Sequence, residues 1–562
     1  MRHSLLVIVV SAAPLYAPTA QAQTLPNAGT IRQQIEQGRE LALPQQSLPV
    51  LPPEPVTKLG PAGLQIQVKT FQFAGNTLLD STQLQSAVRG YLNRTLDYSQ
   101  LQNAAAAVAD LYRKAGWVVR TFLPEQQISS GMVIIQVVEA TLGKVVIEGK
   151  PSRIDPQQIK DIVSTQQKPG KVLNANAVDR ALLLADDLPG VAVSGSLREG
   201  TESNQTDLVL RLSDKPLVSG EAVLDNNGNL STGDTRLGAT INLNSALHMG
   251  DLLSANFIHS SGSDYVRLGA TMPLGSDGWR AGISASALNY KLVLDQFAPL
   301  NAHGTSNSTG LEASYPLVRS RLRNLYVGLN ADHKTYDNEA SATTTSNYSS
   351  DSYSLSLWGN VFDTLGGGGT NNANLNFISG QLNLAGSPNS AADAAGARTA
   401  GSFNKVRYSL SRQQALNSTL SAYAALSGQW SDKNLDSSEK FYLGGANAVR
   451  AYPNGEAGGT SGQLLNLELR WRLPKNFNLS AFYDTGTVSA NRDNQYTGAP
   501  ASNDSTLRGA GLGLAWQGGS GLNLKATWSH RIGDNPNATA TGADQDGSRV
   551  LDRYWLSANL PF

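Results

Sequence analysis

From about residue 215 to the C-terminus, apolar and polar residues alternate with a period of two in one segment after another. In LLNLELRWR (464–472), Leu465, Leu467, Leu469 and Trp471 fall on one face, and Asn466, Glu468, Arg470 and Arg472 on the other. GLNLKATWSH (521–530) sets Leu522, Leu524, Ala526 and Trp528 against Asn523, Lys525, Thr527 and Ser529. The last nine residues, YWLSANLPF, put Tyr554, Leu556, Ala558, Leu560 and Phe562 together. A period of two is the strand period. Strands of about ten residues with one apolar face and aromatics near their ends are the signature of a transmembrane β-barrel. A soluble sandwich also alternates, but polar Gly/Asn/Ser connections and a terminal aromatic favour the barrel. At roughly 20–22 residues per strand and connection, 215–562 holds about 16 strands. NEASATTTSNYSSDS (338–352) and AGSPNSAADAAGARTAGS (385–402) read as surface loops.

The pattern changes upstream, over 65–214, where a unit repeats. LQIQVKTFQFAGN (64–76) alternates as a strand, and helical stretches follow near 80–93 and 98–115. WVVRTFLP (117–124) and MVIIQVVEA (132–140) are strands again, giving the order β-α-α-β-β. The same order recurs with GKVVIEG (143–149), helices near 155–166 and 174–187, VAVSGSLREG (191–200) and TDLVLRLSD (206–214). Each copy, 65–140 and 141–214, is predicted to be a small α+β domain with helices on one face of a short sheet. Phe71, Phe73 and Trp117 are expected in its core.

The N-terminal residues differ again. Arg2–His3, the apolar run Leu5–Ala13 and Ala20-Gln21-Ala22 make a secretory signal peptide over 1–22. The apolar run is too short to anchor in a membrane, so a membrane-spanning chain here must span as a barrel. Residues 23–43 contain a weakly amphipathic helix with Ile31, Ile35 and Leu41 on a polar background. Residues 44–64 are proline-rich and form a semi-rigid linker.

Composition narrows the chemistry. The 562 residues include no Cys, 16% charged residues, 54 Gly and 18 Tyr, with a net charge of +0. Disulfides and Cys-ligated metal are excluded, and no basic excess marks a nucleic-acid partner. The six His (3, 248, 259, 303, 333, 530) show no metal spacing. No P-loop and no G-x-S-x-G nucleophile motif are present. GAGLG (509–513) lies in a strand run and suits close packing or barrel curvature. No catalytic residue, cofactor or metal is expected.

One loop stands out. GGANAVRAYPNGEAGG (444–459) is glycine-rich, far longer than a tight turn, and carries the single basic residue Arg450. It joins two barrel strands and is able to fold back into the lumen. In NLSAFYDTG (478–486), alternation points Ser480, Phe482, Asp484 and Gly486 inward. An Arg inside a narrow pore wants an anionic partner. Residue chemistry alone leaves two arrangements open, a lumenal Arg450–Asp484 pair or an exposed loop Arg beside an unrelated lumen acid.

The whole mature chain resembles the two-partner secretion transporters (the TpsB family) of haemolysin or adhesin activation and secretion. These are outer-membrane proteins of the POTRA-plus-barrel superfamily. FQFAGNT (71–77), AGWVVRTFLPEQ (115–126), VIIQVVEATLGKVVIEG (133–149), VRAY (449–452) and FYDTG (482–486) carry the resemblance. It implies a mostly β fold: an N-terminal plug-like helix, two POTRA-like domains and a 16-stranded antiparallel transmembrane barrel over 215–562. It implies that Val449, Arg450, Ala451 and Tyr452 form a lumenal loop motif whose Arg pairs with Asp484 of the Phe482, Asp484, Gly486 strand motif. The family's usual Gly is replaced by Ala451, which predicts a local difference at the loop tip because Ala resists positive φ. The resemblance further implies export of an unfolded TpsA-like exoprotein, with an N-terminal secretion domain, captured by the POTRA-like units. Outer-membrane lipid would surround the barrel, and Phe562 would be the C-terminal signal read by the barrel-assembly machinery. The alternatives are an assembly factor that inserts other proteins into the outer membrane and a passive porin. Two POTRA-like units are fewer than an assembly factor often carries, and a porin needs none.

Overall fold

The computed structural model describes residues 25–37 and 65–562, apart from Ser129 and Ser203. The signal peptide expected at 1–22 and the linker at 44–64 lie outside the described residues. Of the helix expected within 23–43, the described part forms a helix over Ala28–Gln37.

Sixteen antiparallel strands close into one barrel, from Val218–Asp225 to Asp552–Pro561. Each barrel strand pairs with the next barrel strand in sequence, and the last pairs with the first, so no edge is left open. Alternation sets the two faces. Leu237, Ile283, Leu311, Leu329, Leu467, Trp471 and Leu556 are exposed on the outside, where they form an apolar belt. Ser286, Ser306, Ser308, Asn324 and Asn360 are buried polar residues of the same strands.

The segment 338–352 is a hairpin rather than a loop. Arg323–Ala340 and Thr343–Asp363 run through it as strands, turning at Ser341 and Ala342. Both turn residues have positive φ, 52° and 59°, as a two-residue hairpin turn requires. A membrane strand needs about 9–11 residues; strands of 18 and 21 residues overshoot it. Their far ends carry Ser, Thr and Asn on both faces, which hides the alternation. In 385–402, a six-residue helix, Ser390–Ala395, interrupts the loop.

The first α+β unit departs from the expected order in one respect. Its first strand splits at Lys69, whose N–H is held by the Gly131 carbonyl. Gln65–Val68 pairs with an extra short strand, Arg94–Asp97, while Thr70–Ala74 pairs in parallel with Met132–Glu139. Helices Ser81–Val88 and Tyr98–Lys114 each start with a capping box, Asp80 with Gln83 and Asp97 with Gln100. Their apolar stripes cover Phe71, Phe73, Val133, Ile135 and Val137, and Trp117 packs against this core. The second unit follows β-α-α-β-β, with strands Thr141–Glu148, Val191–Glu199 and Gln205–Asp214 and helices Pro156–Gln166 and Ala175–Asp186.

Backbone hydrogen bonds knit the two units together. Val118 N–H donates to Leu173 O (3.1 Å), Ala175 N–H to Gly116 O (2.8 Å) and Leu173 N–H to Ala140 O (2.7 Å). The second unit docks on the barrel's short turns through forked ion pairs. Arg319 meets Asp187 at 2.7 Å through both Nε and Nη2, and Arg321 meets Asp179 at 2.9 and 3.1 Å.

Glu139 ties the first unit's sheet to its helices. It accepts from Thr77 N–H (2.8 Å), Leu78 N–H (2.9 Å), the Tyr112 hydroxyl (2.9 Å) and the Thr77 hydroxyl. Burial alone would raise this carboxyl's pKa, yet the bonds from Thr77, Leu78 and Tyr112 hold it below its ordinary value. A depressed folded pKa gives stability that is present above the unfolded value, about 4.3, and lost as pH falls through the folded one. Glu139→Ala is expected to cost about 1–3 kcal/mol locally. Amide hydrogen exchange along Met132–Glu139 should speed up in the variant, and in the wild type only under acid conditions.

Candidate functional site

The loop at 444–460 starts from the barrel end remote from the α+β units and turns back into the lumen. A short hairpin, Phe441–Tyr442 against Gly458–Gly459, forms its base. Val449, fully buried, packs with Phe441, Leu443, Leu464, Val488 and Leu507. This small apolar core inside a polar lumen fixes the loop's direction.

At its tip the structure places Arg450, 6% exposed, against Asp484, fully buried. Arg450 Nε donates to Asp484 Oδ2 at 2.8 Å and Nη2 to Oδ1 at 2.7 Å, a forked pair. The Arg450 backbone N–H adds a third bond to Oδ2 at 3.1 Å. The Arg450 guanidinium also lies over the Phe482 ring, 3.4 Å from its centroid. Phe482, Asp484 and Gly486 share the inward face of one strand, Phe477–Ser489. All three serve the loop differently. Phe482 supports the cation, Asp484 neutralises it, and Gly486 leaves room for Leu443, whose Cδ2 would lie 2.6 Å from an added Cβ.

The neighbouring wall is cut back to match. A Cβ on Gly509 would sit 2.6 Å from the Ala451 Cβ, and one on Gly511 would strike Trp528 O and Phe482. These are two of the three glycines of GAGLG. Ala451 itself is buried and lies outside the positive-φ residues. Ala451 thus occupies the place of the family's usual Gly without a positive φ, and the backbone there does not need glycine. Tyr452 is buried with its ring 4.4 Å from the Arg531 guanidinium. Phe562 lies elsewhere, on the outer face at the closing strand. Its backbone exchanges two 2.9 Å hydrogen bonds with Gly220, and its ring covers the space a Cβ on Gly220 would take.

Several residues of this site went unnoticed in the sequence. Glu468 binds Arg450 Nη1 at 2.7 Å and Arg470 Nε at 2.7 Å. Asn466 bridges Asp484 Oδ1 (2.7 Å) and Ala448 O (3.0 Å). Both were on the inward face by alternation, and that was the usable signal. Trp555 Nε1 and the Ser529 hydroxyl both donate to the Arg450 carbonyl, at 2.8 and 2.7 Å. The scattered histidines also gain a pattern from register. His259, His303, His333 and His530 each face a carboxylate across a strand pair, Asp264, Glu339, Asp351 and Asp552.

The helix Ala28–Gln37 lies inside the barrel against the strands Trp279–Lys291, His303–Arg319 and Arg323–Ala340. Its central Arg32 is 1% exposed. It donates to the hydroxyls of Ser286 (2.5 Å), Ser306 (3.0 Å) and Ser308, and to Glu36 (2.8 Å). Glu36 then meets Lys334 at 3.3 Å, Lys334 lies 3.8 Å from Glu439, and Glu439 binds Lys405. Charges thus alternate from helix to wall to the start of the loop. Gln37 adds a two-way bond with the Tyr442 backbone. Helix and loop hold each other within one lumen.

Arg450→Ala would leave Asp484 and Glu468 without their shared cation, and breaking such a pair costs about 3–5 kcal/mol. The temperature at which the folded barrel converts to its unfolded gel mobility in detergent should fall accordingly. Arg450→Lys should recover little of it, since an ammonium cannot span both Asp484 oxygens. Gly509→Val should produce a similar fall by pushing Ala451 off the wall.

Comparison with known proteins fits this architecture. A family model described as haemolysin secretion/activation protein ShlB/FhaC/HecB matches residues 204–516, and a ShlB-type POTRA domain matches 66–140. The chain is similar to the heme/hemopexin transporter protein HuxB of Haemophilus influenzae (strain 86-028NP), at 24% identity over 99% of this chain and 98% of that one. It is also similar to the outer membrane transporter CdiB of Dickeya dadantii, at 24% identity over 82% and 80%. Among solved structures, CdiB from Escherichia coli shares the fold with a TM-score of 0.68 at 21% identity, covering 92% of this chain and 94% of that one. BamA from Haemophilus ducreyi lacking POTRA domains 1–3 shares it less closely, with a TM-score of 0.53 at 16% identity over 89% and 100%. The family match spans more than half of the residues, and the chain belongs to the haemolysin secretion/activation protein family ShlB/FhaC/HecB.

Proposed function

We propose that this two-partner secretion transporter of the outer membrane captures its unfolded partner exoprotein in the periplasm and passes it through the barrel without nucleotide hydrolysis. The POTRA-like units lie on the periplasmic side and do the capturing. Exposed sheet edges there are able to take an extended peptide by strand addition. The partner is a TpsA-like exoprotein with an N-terminal secretion domain, and the chain acts as a conduit rather than an enzyme. Its cargo class is not fixed by fold.

One observation carries this reading. The helix Ala28–Gln37 lies in the lumen and precedes the first unit in sequence, and beside the packing of Ala28 and Ile31 it holds the wall through hydrogen bonds and ion pairs. Once the helix leaves, these polar groups are able to pair with water or with a passing polypeptide, which a wholly apolar surface would not do. The helix serves as a plug that leaves during transport, while the connecting residues keep it attached. The division into signal peptide (1–22), helix (23–43), linker (44–64), POTRA-like domains (65–140 and 141–214) and barrel (215–562) belongs to this proposal. So do the outer-membrane lipid around the apolar belt and the barrel-assembly machinery that reads Phe562.

The test is secretion by cells that make this transporter together with the large exoprotein encoded beside it, if one exists. The exoprotein should reach the medium only when the transporter is present. Deleting residues 28–37 should raise the conductance of the purified barrel in planar bilayers several-fold. Export without the chain, or loss of other outer-membrane barrels on its deletion, would favour the assembly-factor reading instead.

A further inference from the structure

The barrel closes at its shortest pairing. The last strand meets the first over five residue pairs, from Ser557↔Asp225 to Pro561↔Glu221. The pairings on either side run for eight. The Phe562–Gly220 bonds extend the seam at one end. At the other end Asn226 stands in for a strand residue. Its side chain donates to Tyr554 O (2.8 Å) and accepts from Leu556 N–H (2.7 Å). Above Asn226 the strand pairing stops.

The lumenal loop spans this point from within. On one side, Asn454 donates to Asn227 O and its own carbonyl accepts from Asn229 Nδ2 at 3.1 Å. Asn227 and Asn229 lie just beyond the end of the first strand, Val218–Asp225. On the other side, Glu456 accepts from Asn535 Nδ2 at 2.9 Å and from Gln545 N–H at 2.9 Å. Both belong to the connection that leads into the last strand, Asp552–Pro561. The Arg450 carbonyl takes Trp555 Nε1 from the last strand itself. Glu456 is fully buried, so its two bonds are not exchanged freely with water.

We infer that the loop is an internal staple across the barrel's closing seam, with Asn454 holding the first strand's side and Glu456 the last strand's side. Arg450 and Asp484 position the loop, and Asn454 and Glu456 transfer that fixed position to the two strands with the fewest bonds to each other. Two hydrogen-bonded grips on opposite sides of a short ladder resist its fraying in a way that neither grip does alone. The staple is a separate duty from secretion, because it concerns whether the barrel stays closed and not what passes through it.

The native chain has no Cys, so engineered disulfides read out the seam cleanly. In the full-length protein, Asn454→Ala/Glu456→Ala should lower the midpoint of the detergent heat-unfolding shift by about 5 °C or more. Adding Val223→Cys/Asn559→Cys, a directly opposed pair in the seam, should restore the midpoint when oxidised and lose it on reduction. Asn372→Cys/Ser411→Cys, an opposed pair far around the barrel, should not restore it. An unchanged midpoint in the double variant, or equal rescue by both disulfides, would overturn the staple. If the double variant assembles poorly, its membrane level becomes the readout. Recovery with the seam pair alone then supports the staple, and recovery with neither or with both refutes it.

Discussion

A guanidinium enclosed by protein cannot remain unpaired, and the position of the lumenal loop follows from how Arg450 meets that demand. Asp484 supplies both carboxylate oxygens, Glu468 the third contact, and Phe482 a flat face beneath the cation. Each partner stands on a wall strand whose register is fixed by ladders on both sides. The loop is therefore referenced to the wall at a single charged point, and the apolar packing of Val449 and the small glycines of the wall make that point reachable. A pair of this kind is weak evidence for net stability, but it is strongly selective for one arrangement, because every misplacement leaves a buried charge alone.

The rest of the lumen is built on softer contacts. The helix Ala28–Gln37 meets serine hydroxyls and a string of alternating charges, and its Ala28 and Ile31 join an apolar cluster with Tyr265, Leu288 and Tyr336. The two components of the lumen thus differ in kind. The loop is pinned by a forked ion pair to a wall carboxylate, whereas the helix's Arg32 is neutralised by Glu36 of its own helix and meets only neutral serine hydroxyls of the wall. That contrast suits a pore in which one element stays and another is exchanged. Outside the membrane, the forked Arg319–Asp187 and Arg321–Asp179 pairs and the backbone bonds between the two POTRA-like units align the periplasmic arm with the barrel.

Much of this was legible from periodicity. The outward faces of 464–472 and 554–562 and the inward placement of Asp484 follow from a count of two, since the side-chain period of a strand admits no other face. Partnership was not legible in the same way. Arg450 and Asp484 lie 34 positions apart in sequence, and residue chemistry left their pairing open until the loop's path was known. Glu468 and Asn466 were visible as inward polar residues without any sign that they shared one cation. The hairpin over 338–352 was missed because both of its faces are polar beyond the membrane. The strand Arg94–Asp97 was missed because four residues carry too short a pattern. The helix is only weakly amphipathic for a physical reason: it meets a mixed surface, with Arg32 against wall serines and Ala28 and Ile31 against an apolar cluster.

The central claim is that Arg450 and Asp484 act as one unit that fixes the loop. A double-mutant cycle tests it most directly. Arg450→Ala, Asp484→Ala and the combined variant would be compared by unfolding of the refolded barrel. Coupling of about 1–3 kcal/mol is predicted, so that the double variant loses clearly less than the sum of the two single losses. Additive losses, with no coupling beyond about 0.5 kcal/mol, would mean that the two residues stabilise the barrel independently, and the pin would have to be abandoned.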